Sequence, residues 1–347
     1  MVNIPILITT LCRYEHFCRC IESLKCNSYA KDTDLYIGLD YPLKEIHWEG
    51  YQKICAYLDE GINGFKDVHI IKWETNLGSA ENYCRMRAKI YEKYDSFIYS
   101  EDDNEFSSNY LEYMNKAMGM FENSNSVIAV SGYMYPINLV DITGNAVLLN
   151  TYFSAFGKGV YRKTEELFAE EINMDTFVKM YRNVKQMRKL RKVSVNQFCN
   201  FVKGMVEYTP DLVKNGEVRK VDLSYGLYMF FHDYKMVFPQ ISKVRNWGYD
   251  GSGINCDLQI EAGIDFEEMP YYRNYNFATQ EIDMNSSFDK ICIALEGDDN
   301  ALDDKLNRFF KIPKKEEHIT VITYYCSLII GPRRMAEAIK WMKKYIK

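Results

Sequence analysis

The sequence predicts an α/β fold in which a mostly parallel central sheet is flanked by helices, with a helical extension at the C-terminal end. Two observations predict it. Short apolar stretches alternate with stretches of helical periodicity through the first 133 residues, which is the pattern of parallel strands joined by crossover helices. The final stretch, PRRMAEAIKWMKKYIK, spaces its apolar side chains as an amphipathic helix does.

The predicted strands and helices follow one another in order. Apolar runs bounded by turn-forming residues mark the strands, and apolar residues three and four positions apart mark the helices. The predicted strands cover residues 4–9, 35–40, 68–73, 96–100 and 127–133. The predicted helices cover residues 14–26, 46–59, 79–94, 107–121, 175–192 and 332–347. For the helix over residues 107–121, a polar N-cap is expected within residues 107–109.

Composition and charge limit the functional classes. Hydrophobic residues make up 47% of the 347 residues, which is enough for a sizeable core. The formal net charge is -5 and the pI is near 5.7, so nucleic acid is not expected as a partner. The ten cysteines contain no C-x-x-C pair, which favours reduced core thiols over a zinc site. No leader peptide is recognised and the apolar run at 321–331 is short, so a cytoplasmic protein is expected.

Polar side chains follow four predicted strands at the point where each strand ends. Thr9, Thr10 and Arg13 follow the first strand, Asp40 ends the second, and NLGSAENY (residues 76–83) follows the third. The fourth runs into an acidic triplet. Ligands of parallel α/β sheets collect at the carboxyl ends of the strands, so we expect one site there. This half of the chain has no G-x-G-x-x-G and no P-loop motif, so a nucleotide would be held by other means.

The triplet consists of Glu101, Asp102 and Asp103. Crowded like charges cost free energy unless a cation or solvent screens them. A helix N-cap is one interpretation, but the next predicted helix begins several residues later. A calcium loop would need oxygens at alternate positions and a central Gly, which this stretch lacks. The third interpretation is a divalent cation held by one or two carboxylates and by ligand phosphates, while the neighbouring aspartate points the other way.

Several stretches together resemble a known family. PILITTLCRYEHFCRCIESL, the strand end at Asp40, NLGSAENY and above all SEDDNEFSSNYLEYMNKA are similar to nucleotide-sugar-dependent glycosyltransferases of the GT-A fold. The acidic stretch resembles that of animal N-acetylglucosaminyltransferases, and the whole arrangement resembles bacterial surface-polysaccharide glycosyltransferases. FPQISKVRNWGYDGSGINC (residues 238–256) resembles a loop of the bacterial group, with Asn255 where that group leads us to expect His. SAFGKGVYRK (residues 154–163) lacks the tryptophans common in the related bacterial enzymes.

This resemblance implies a GT-A-like catalytic domain over residues 1–256, with a nucleotide-binding part of about 1–133 and an acceptor part of about 134–256. Residues 257–347 would form the C-terminal extension. The implied enzyme is a metal-dependent glycosyltransferase of the hexosyltransferase type that inverts the anomeric centre. It would move a sugar from a nucleotide diphosphate sugar, with UDP as the expected nucleotide, to a glycan or lipid-linked glycan acceptor in surface polysaccharide synthesis.

The resemblance also implies roles for the triplet. Asp103 would ligate Mn²⁺ or Mg²⁺, Asp102 would face the ribose, and Glu101 would face the base or the sugar. A bound metal neutralises charge that grows on the departing diphosphate.

Five further residues are implied at the nucleotide. Asp40 would accept a hydrogen bond from the N–H of a uracil-like base, and Thr9 and Arg13 would lie beside the nucleotide. Asn76 and Gly78 would open the third helix close to the ligand. Structural alternatives stand beside four of these roles: a turn residue for Asp40, a surface ion pair for Arg13, and plain helix capping for Asn76 and Gly78.

Transfer also needs a base that takes the proton from the acceptor hydroxyl. The candidate is Asp222, which precedes an apolar predicted helix at a place where the bacterial group tends to have an acid. An N-cap for that helix is the alternative, and Asp233, Asp250 and Glu281 are reserve candidates. The GSG stretch at residues 251–253 suits either a lid over bound donor or a surface turn.

Two predicted helices, over residues 175–192 and 332–347, are rich in Lys and Arg. A solvated basic face is one interpretation. A peripheral contact of the C-terminal helix with the inner face of the membrane is the other.

Two rival functions remain open. One is a non-catalytic nucleotide-sugar or glycan binding protein of the same fold. The other is a sugar nucleotidyltransferase, which would need a Gly-rich loop with Lys or Arg after the first strand, where TTLCRYEH stands.

Overall fold

The computed structural model describes residues 3–139, 144–206, 213–214, 217–218, 221–248, 250, 282, 290–293 and 299–345. The chain divides by contacts into two compact units. The first unit comprises Met1–Leu148, Ser154–Thr164 and Val237–Ala294. The second unit comprises Leu149–Phe153, Glu165–Met236 and Leu295–Lys347. The predicted boundary at residue 256 remains a prediction.

The described strands begin and end close to the predicted positions in the N-terminal part of the chain. They are β1 (Ile6–Thr10), β2 (Leu35–Leu39), β3 (Val68–Lys72), β4 (Ser96–Glu101), β5 (Asn104–Phe106), β6 (Val127–Ser131), β7 (Ala146–Leu149), β8 (Lys158–Tyr161), β9 (Val213–Lys214), β10 (Glu217–Val218), β11 (Lys235–Pro239) and β12 (Val244–Asn246).

Eight of these strands form one sheet in the order β3-β2-β1-β4-β8-β6-β11-β7. The first four run parallel to one another, whereas β8 is antiparallel to both β4 and β6. The predicted α/β class with a mostly parallel central sheet flanked by helices is therefore confirmed. Because β1, β2, β3 and β4 are parallel neighbours, their carboxyl ends lie along one edge of the sheet.

The described helices are α1 (Tyr14–Lys25), α2 (Trp48–Asp59), α3 (Gly78–Ile90), α4 (Tyr110–Phe121), α5 (Arg162–Glu171), α6 (Met174–Arg182), α7 (Val184–Val193), α8 (Val195–Val206), α9 (Val221–His232), α10 (Asp299–Phe309), α11 (Lys314–Ile330) and α12 (Pro332–Tyr345). The predicted helical C-terminal part agrees with α10, α11 and α12.

Two predicted helices differ from the structure. The single helix expected over residues 175–192 is broken at Asn183, whose backbone has φ -77 and ψ 82 and whose side-chain oxygen accepts a hydrogen bond from the N–H of Gln186 (3.1 Å). Asn183 thus ends α6 and caps α7. Helix α4 has Asn109 at its N-cap position, but the Asn109 oxygen accepts from the Ser107 hydroxyl (2.7 Å) instead of capping the helix.

The parallel strands form the core of the first unit. Ile6, Leu7 and Ile8 of β1 are fully buried, as expected for a strand with both faces covered. One cluster of buried side chains lies between the sheet and α3: Leu7, Tyr36, Met86, Ile90, Phe97, Tyr99 and Val160. This packing fixes the strand ends that carry the polar residues.

A short ladder that the sequence did not predict pairs β5 with β12 in antiparallel register, with Asn104 opposite Asn246 and Phe106 opposite Val244. It continues directly from the acidic triplet. The stretch that follows β12 is therefore brought to the triplet from about 140 positions further along the chain.

In the second unit, helix α8 is contacted by α7, α11 and α12. Its buried side chains include Phe198, Phe201 and Met205. No helix in the described part of the chain is long and apolar enough to cross a membrane.

Candidate functional site

Asp102 and Asp103, called the acidic pair below, lie in the turn between β4 and β5 and are almost completely buried, with 3% and 6% of their surface exposed. Arg13, at the start of α1, contacts both of them. One terminal nitrogen of Arg13 donates to Oδ1 of Asp102 and the other lies 3.0 Å from Oδ2 of Asp103. Two strand ends of the parallel sheet thus meet through one guanidinium group.

The two aspartates were expected to point in opposite directions, and this expectation is wrong. Both carboxylates converge on Arg13. The reason is that β4 ends at Glu101. The acidic pair therefore lies in a turn, where successive side chains do not alternate between two faces as they do in a strand. Glu101, the exposed member of the triplet, still belongs to the strand.

Thr9 and Thr10 lie on different faces of the sheet because successive strand residues alternate. The Thr10 hydroxyl donates to Oδ2 of Asp102 (2.6 Å), whereas the Thr9 hydroxyl is 3.1 Å from the hydroxyl of Tyr99. Thr9 was the predicted ligand-binding residue, and the contact made by Thr10 was not predicted. The sequence showed that the first strand ends near these two threonines, but it did not show which of them faces Asp102.

The last residue of β12 and the two residues that follow it contact Asp103. The Asn246 amide donates to Oδ1 of Asp103 (2.9 Å) and to the side-chain oxygen of Asn104 (2.9 Å). The backbone N–H of Trp247 donates to the Asp103 carbonyl oxygen (2.8 Å), and that of Gly248 donates to the Asn246 side-chain oxygen (2.9 Å). Asn246 lies within the stretch that resembles the loop of the bacterial group, but no role was predicted for it.

Gly248 shows how closely the backbone approaches the carboxylate. A Cβ atom added there would lie 2.2 Å from Oδ2 of Asp103, a distance that no side chain can adopt. Glycine at position 248 therefore lets the backbone pack directly against the Asp103 carboxylate.

Charge and burial act against each other at the acidic pair. Burial raises the pKa of Asp103 above its usual value; the positive charge of Arg13 opposes this effect and the negative charge of Asp102 adds to it. Burial alone would lower the pKa of Arg13, but the charges of Asp102, Asp103 and Glu101 outweigh burial and raise that pKa. Arg13 thus stays protonated and offsets only part of the negative charge of the triplet.

Asp40 lies at the carboxyl end of β2 and caps helix α3. Its carboxylate accepts from the backbone N–H groups of Tyr41, Leu77 and Gly78, each at 2.8 Å, and the Asn76 amide lies 3.4 Å from it. Helix α3 begins at Gly78, which has φ +76. Helix capping was the structural alternative for Asn76 and Gly78, but the capping carboxylate belongs to Asp40. The predicted contact of Asp40 with a base remains a prediction.

Helix α1 also carries His16, which contacts Asp250 and Arg19. Nε2 of His16 lies 2.8 Å from Oδ2 of Asp250, while Nδ1 of His16 lies 3.3 Å from Arg19. Arg19 in turn stacks on the ring of Trp247 at 4.5 Å. Asp250, a reserve candidate for the base, is therefore anchored close to the residues after β12 that contact Asp103, whereas His16 was not singled out from the sequence.

Lys158 is a further buried residue near this edge of the sheet that was not predicted. It begins β8 opposite Tyr99 of the antiparallel neighbour β4, so it lies near the carboxyl end of β4. The residue is 5% exposed, and its ammonium group lies 5.4 and 5.6 Å from the ring centroids of Tyr83 and Tyr99. Sequence offered little signal, because a lysine between two glycines in a strand is usually exposed.

The predicted base, Asp222, belongs to the second unit. It is exposed and lies in the first turn of α9, which begins at Val221. The expectation that Asp222 precedes the helix is therefore wrong, and an acid in the first turn is favoured by the helix dipole. Asp233 is exposed just after α9, with φ 57. Glu281 and the GSG stretch at residues 251–253 lie outside the described residues.

A divalent cation would find hard oxygen ligands in the acidic pair. No group of three or more His, Cys, Asp or Glu side chains is placed to hold a metal ion within the part of the chain that the structure describes. A cation held by the pair would therefore take its other ligands from phosphates or water. Arg13 already contacts both carboxylates, so a cation must share them with the guanidinium or displace it.

Comparisons with known proteins find no matching family model and no match among curated proteins. Solved structures similar to this chain include a Pyrobaculum calidifontis mannosyltransferase in complex with GDP-mannose and Mn²⁺, with 10% identity and a TM-score of 0.31 over 48% of this chain and 46% of that chain. Staphylococcus aureus TarS has 12% identity and a TM-score of 0.32 over 51% and 33%. Mouse xyloside xylosyltransferase 1, without ligand, has 10% identity and a TM-score of 0.32 over 52% and 75%. The aligned part thus spans about half of the mannosyltransferase and a third of TarS.

Proposed function

We propose that this chain is a metal-dependent glycosyltransferase that binds a nucleotide diphosphate sugar at the carboxyl ends of β1, β2 and β4. The observation that carries the proposal is the buried acidic pair, held by Arg13 and Thr10 from the end of β1 and by Asn246 from the β5–β12 ladder. Burying two adjacent carboxylates is costly. A site for a cation and a diphosphate explains why the fold keeps them.

Asp103 is the proposed ligand of Mn²⁺ or Mg²⁺. When bound, such an ion stabilises the negative charge of the departing diphosphate. Asn246 and the Trp247 N–H fix the Asp103 side chain and main chain, so the ligand oxygens are oriented before the donor arrives. Asp102, whose orientation Thr10 fixes, is proposed to accept from the ribose hydroxyls.

The remaining donor contacts are proposed for residues on neighbouring strand ends. Asp40 and the first turn of α3, with Asn76 and Gly78, are proposed to lie at the base, for which uracil is the expected identity. Arg13 and Thr9 would lie beside the nucleotide, with Glu101 toward the base or sugar. The guanidinium of Arg13 can form bidentate contacts with phosphate as well as with carboxylate, so it suits a site that exchanges one for the other.

Asp222 is the proposed general base, which would take the proton of the acceptor hydroxyl as that oxygen attacks the anomeric carbon in an inverting displacement. Asp250, paired with His16 at 2.8 Å, is the reserve in the first unit. The proposed acceptor is a glycan or lipid-linked glycan of surface polysaccharide synthesis, and the expected location is the cytoplasm.

A matched pair of assays separates this proposal from its two rivals. The purified chain is incubated with each nucleotide sugar and Mn²⁺, and release of UDP is followed, because many transferases slowly transfer sugar to water. Slow UDP release that disappears in Asp103→Ala supports a transferase. Binding without any release would favour a non-catalytic binding protein. Formation of a nucleotide sugar from a sugar phosphate and a nucleoside triphosphate would favour a nucleotidyltransferase.

A further inference from the structure

Helix α11 carries a stripe of exposed isoleucines. Ile319, Ile322, Ile329 and Ile330 expose 54%, 63%, 85% and 41% of their surface. Large apolar side chains that are exposed singly are ordinary, but a contiguous group marks a contact surface. These four residues are therefore a candidate for such a surface.

The four side chains share one side of the helix. Positions 319, 322, 329 and 330 fall within about one quarter to one third of the helix circumference at 3.6 residues per turn. The opposite side is buried, where Thr320, Tyr324 and Ser327 face the interior of the second unit. Helix α11 thus has an apolar outer face, called the isoleucine stripe below, in addition to its buried inner face.

Basic residues of α7 adjoin this helix. Arg188 donates to the Tyr325 hydroxyl (3.1 Å) and Arg191 donates to Glu317 (2.8 Å). These two contacts hold α7 alongside α11. Helix α7 also exposes Lys185, Lys189 and Lys192.

Helix α12 supplies basic residues at the other end of α11. It follows directly after Gly331, and its exposed residues include Arg333, Arg334, Lys340 and Trp341. Residues 314–345 contain seven Lys or Arg and three Asp or Glu, whereas the whole chain has a formal charge of -5. Both basic stretches that stood out in the sequence therefore meet at the helix with the apolar outer face.

We propose that the isoleucine stripe, together with the basic residues of α7 and α12, docks this protein on an anionic lipid bilayer. Apolar side chains would enter the boundary between headgroups and acyl chains while Lys and Arg face the anionic headgroups. Trp341 suits the same interface, where tryptophan is enriched.

Charge favours the bilayer over a second copy of the chain. A two-fold dimer through the isoleucine stripe would bring the same basic residues of both copies together, and like charges repel. An anionic bilayer instead offers an apolar boundary region to the isoleucines and negatively charged headgroups to Lys and Arg. The inference does not depend on the proposed transferase activity, because its test measures only binding.

The test is sedimentation of the full chain with phosphatidylcholine vesicles, with and without phosphatidylserine. Ile322→Ser combined with Ile329→Ser should weaken binding to the anionic vesicles by tenfold or more, on the order of the transfer free energy of apolar side chains. Both positions are exposed, so the variant should fold, and its melting temperature checks this. Ile46→Ser is the matched control, because Ile46 is 82% exposed on the first unit, and it should bind like the unchanged chain.

Binding should require phosphatidylserine and fall as salt is added, because Lys and Arg contacts are screened. Arg333→Gln with Arg334→Gln should reduce it further. The proposal is overturned if the chain ignores anionic vesicles at low salt, if it binds both vesicle types equally, or if the serine variant binds as well as the control. A dimer in analytical ultracentrifugation that the serine variant dissolves, without vesicle binding, would assign the stripe to self-association instead.

Discussion

Replacement of Arg13 by Met tests whether one guanidinium stabilises the acidic pair. Arg13 contacts both Asp102 and Asp103, and these carboxylates are 4% and 7% exposed as side chains, against 19% for Arg13. Removing one partner of a buried ion pair typically costs 3–5 kcal/mol, because it leaves buried charge without a partner. The partial exposure of Arg13 places the expected loss at about 3 kcal/mol.

The assay is urea denaturation at neutral pH, with and without Mn²⁺ and without nucleotide. In Arg13→Met the acidic pair lacks its cation, so Mn²⁺ should bind there and recover part of the lost free energy of unfolding. In the unchanged chain Arg13 occupies the carboxylates, so Mn²⁺ alone should change stability little.

A matched control is Arg85→Met. Arg85 pairs with Glu81 at 2.7 Å, but both side chains are half exposed, at 50% and 51%. Such a pair contributes less than about 1 kcal/mol, and Mn²⁺ should have no effect on the variant. The reasoning is refuted if Arg13→Met is no less stable than Arg85→Met, or if Mn²⁺ leaves Arg13→Met unchanged.

Three other substitutions separate structural from functional roles. Asp222→Asn cannot take a proton, so transfer should fall on the order of 10² to 10⁴ fold with unchanged melting temperature and donor affinity; a near-normal rate would shift the assignment to Asp250. Asp40→Ala removes the acceptor for three backbone N–H groups and should lower the free energy of unfolding by about 1–2 kcal/mol, whereas a change within error would show that the cap is dispensable. The pKa of Asp34 is below its usual value because, although burial opposes the shift, hydrogen bonds from Lys93 and Tyr94 outweigh it. The stabilisation that the Asp34 carboxylate contributes is therefore fully present above the pKa of Asp34 in the unfolded chain and is lost as the pH falls through its pKa in the folded chain. The difference in free energy of unfolding between the unchanged chain and Asp34→Asn, measured by urea denaturation, should therefore shrink on acidification. A difference that does not change with pH would contradict this.

The sequence was sufficient to predict the parallel part of the sheet. Strands β1 to β4 are short apolar runs between amphipathic helices, and such local periodicity specifies both type and order. The acidic triplet was also placed correctly at the end of β4, because a run of carboxylates directly after a buried strand can only lie at its end.

The contacts within the site could not be predicted. Asn246 reaches Asp103 through β5 and β12, two three-residue strands about 140 positions apart, and so short a ladder has no periodicity to detect. Thr9 and Thr10 differ only in the face of the sheet to which each points, which a one-residue change of register reverses. The convergence of Asp102 and Asp103 on Arg13 depends on a turn whose bounds the apolar pattern does not mark.

The exposed surface of the C-terminal helices could not be predicted either. Their basic composition was visible in the sequence, but the isoleucine stripe of α11 was not, because a largely apolar helix does not reveal which side the rest of the chain covers. Exposure of Ile322 and Ile329 follows from the contacts that bury Tyr324 and Ser327.

The central claim is that the acidic pair binds a nucleotide diphosphate through a divalent cation, and thermal unfolding with UDP tests it most directly. At a UDP concentration of about 100 times Kd, binding should add about 2.7 kcal/mol to the free energy of unfolding. We predict that UDP raises the melting temperature with Mn²⁺ or Mg²⁺ but not with EDTA, and that Asp103→Ala abolishes this metal-dependent shift. An equal shift by UDP in EDTA, or an unaltered response in Asp103→Ala, would contradict the account.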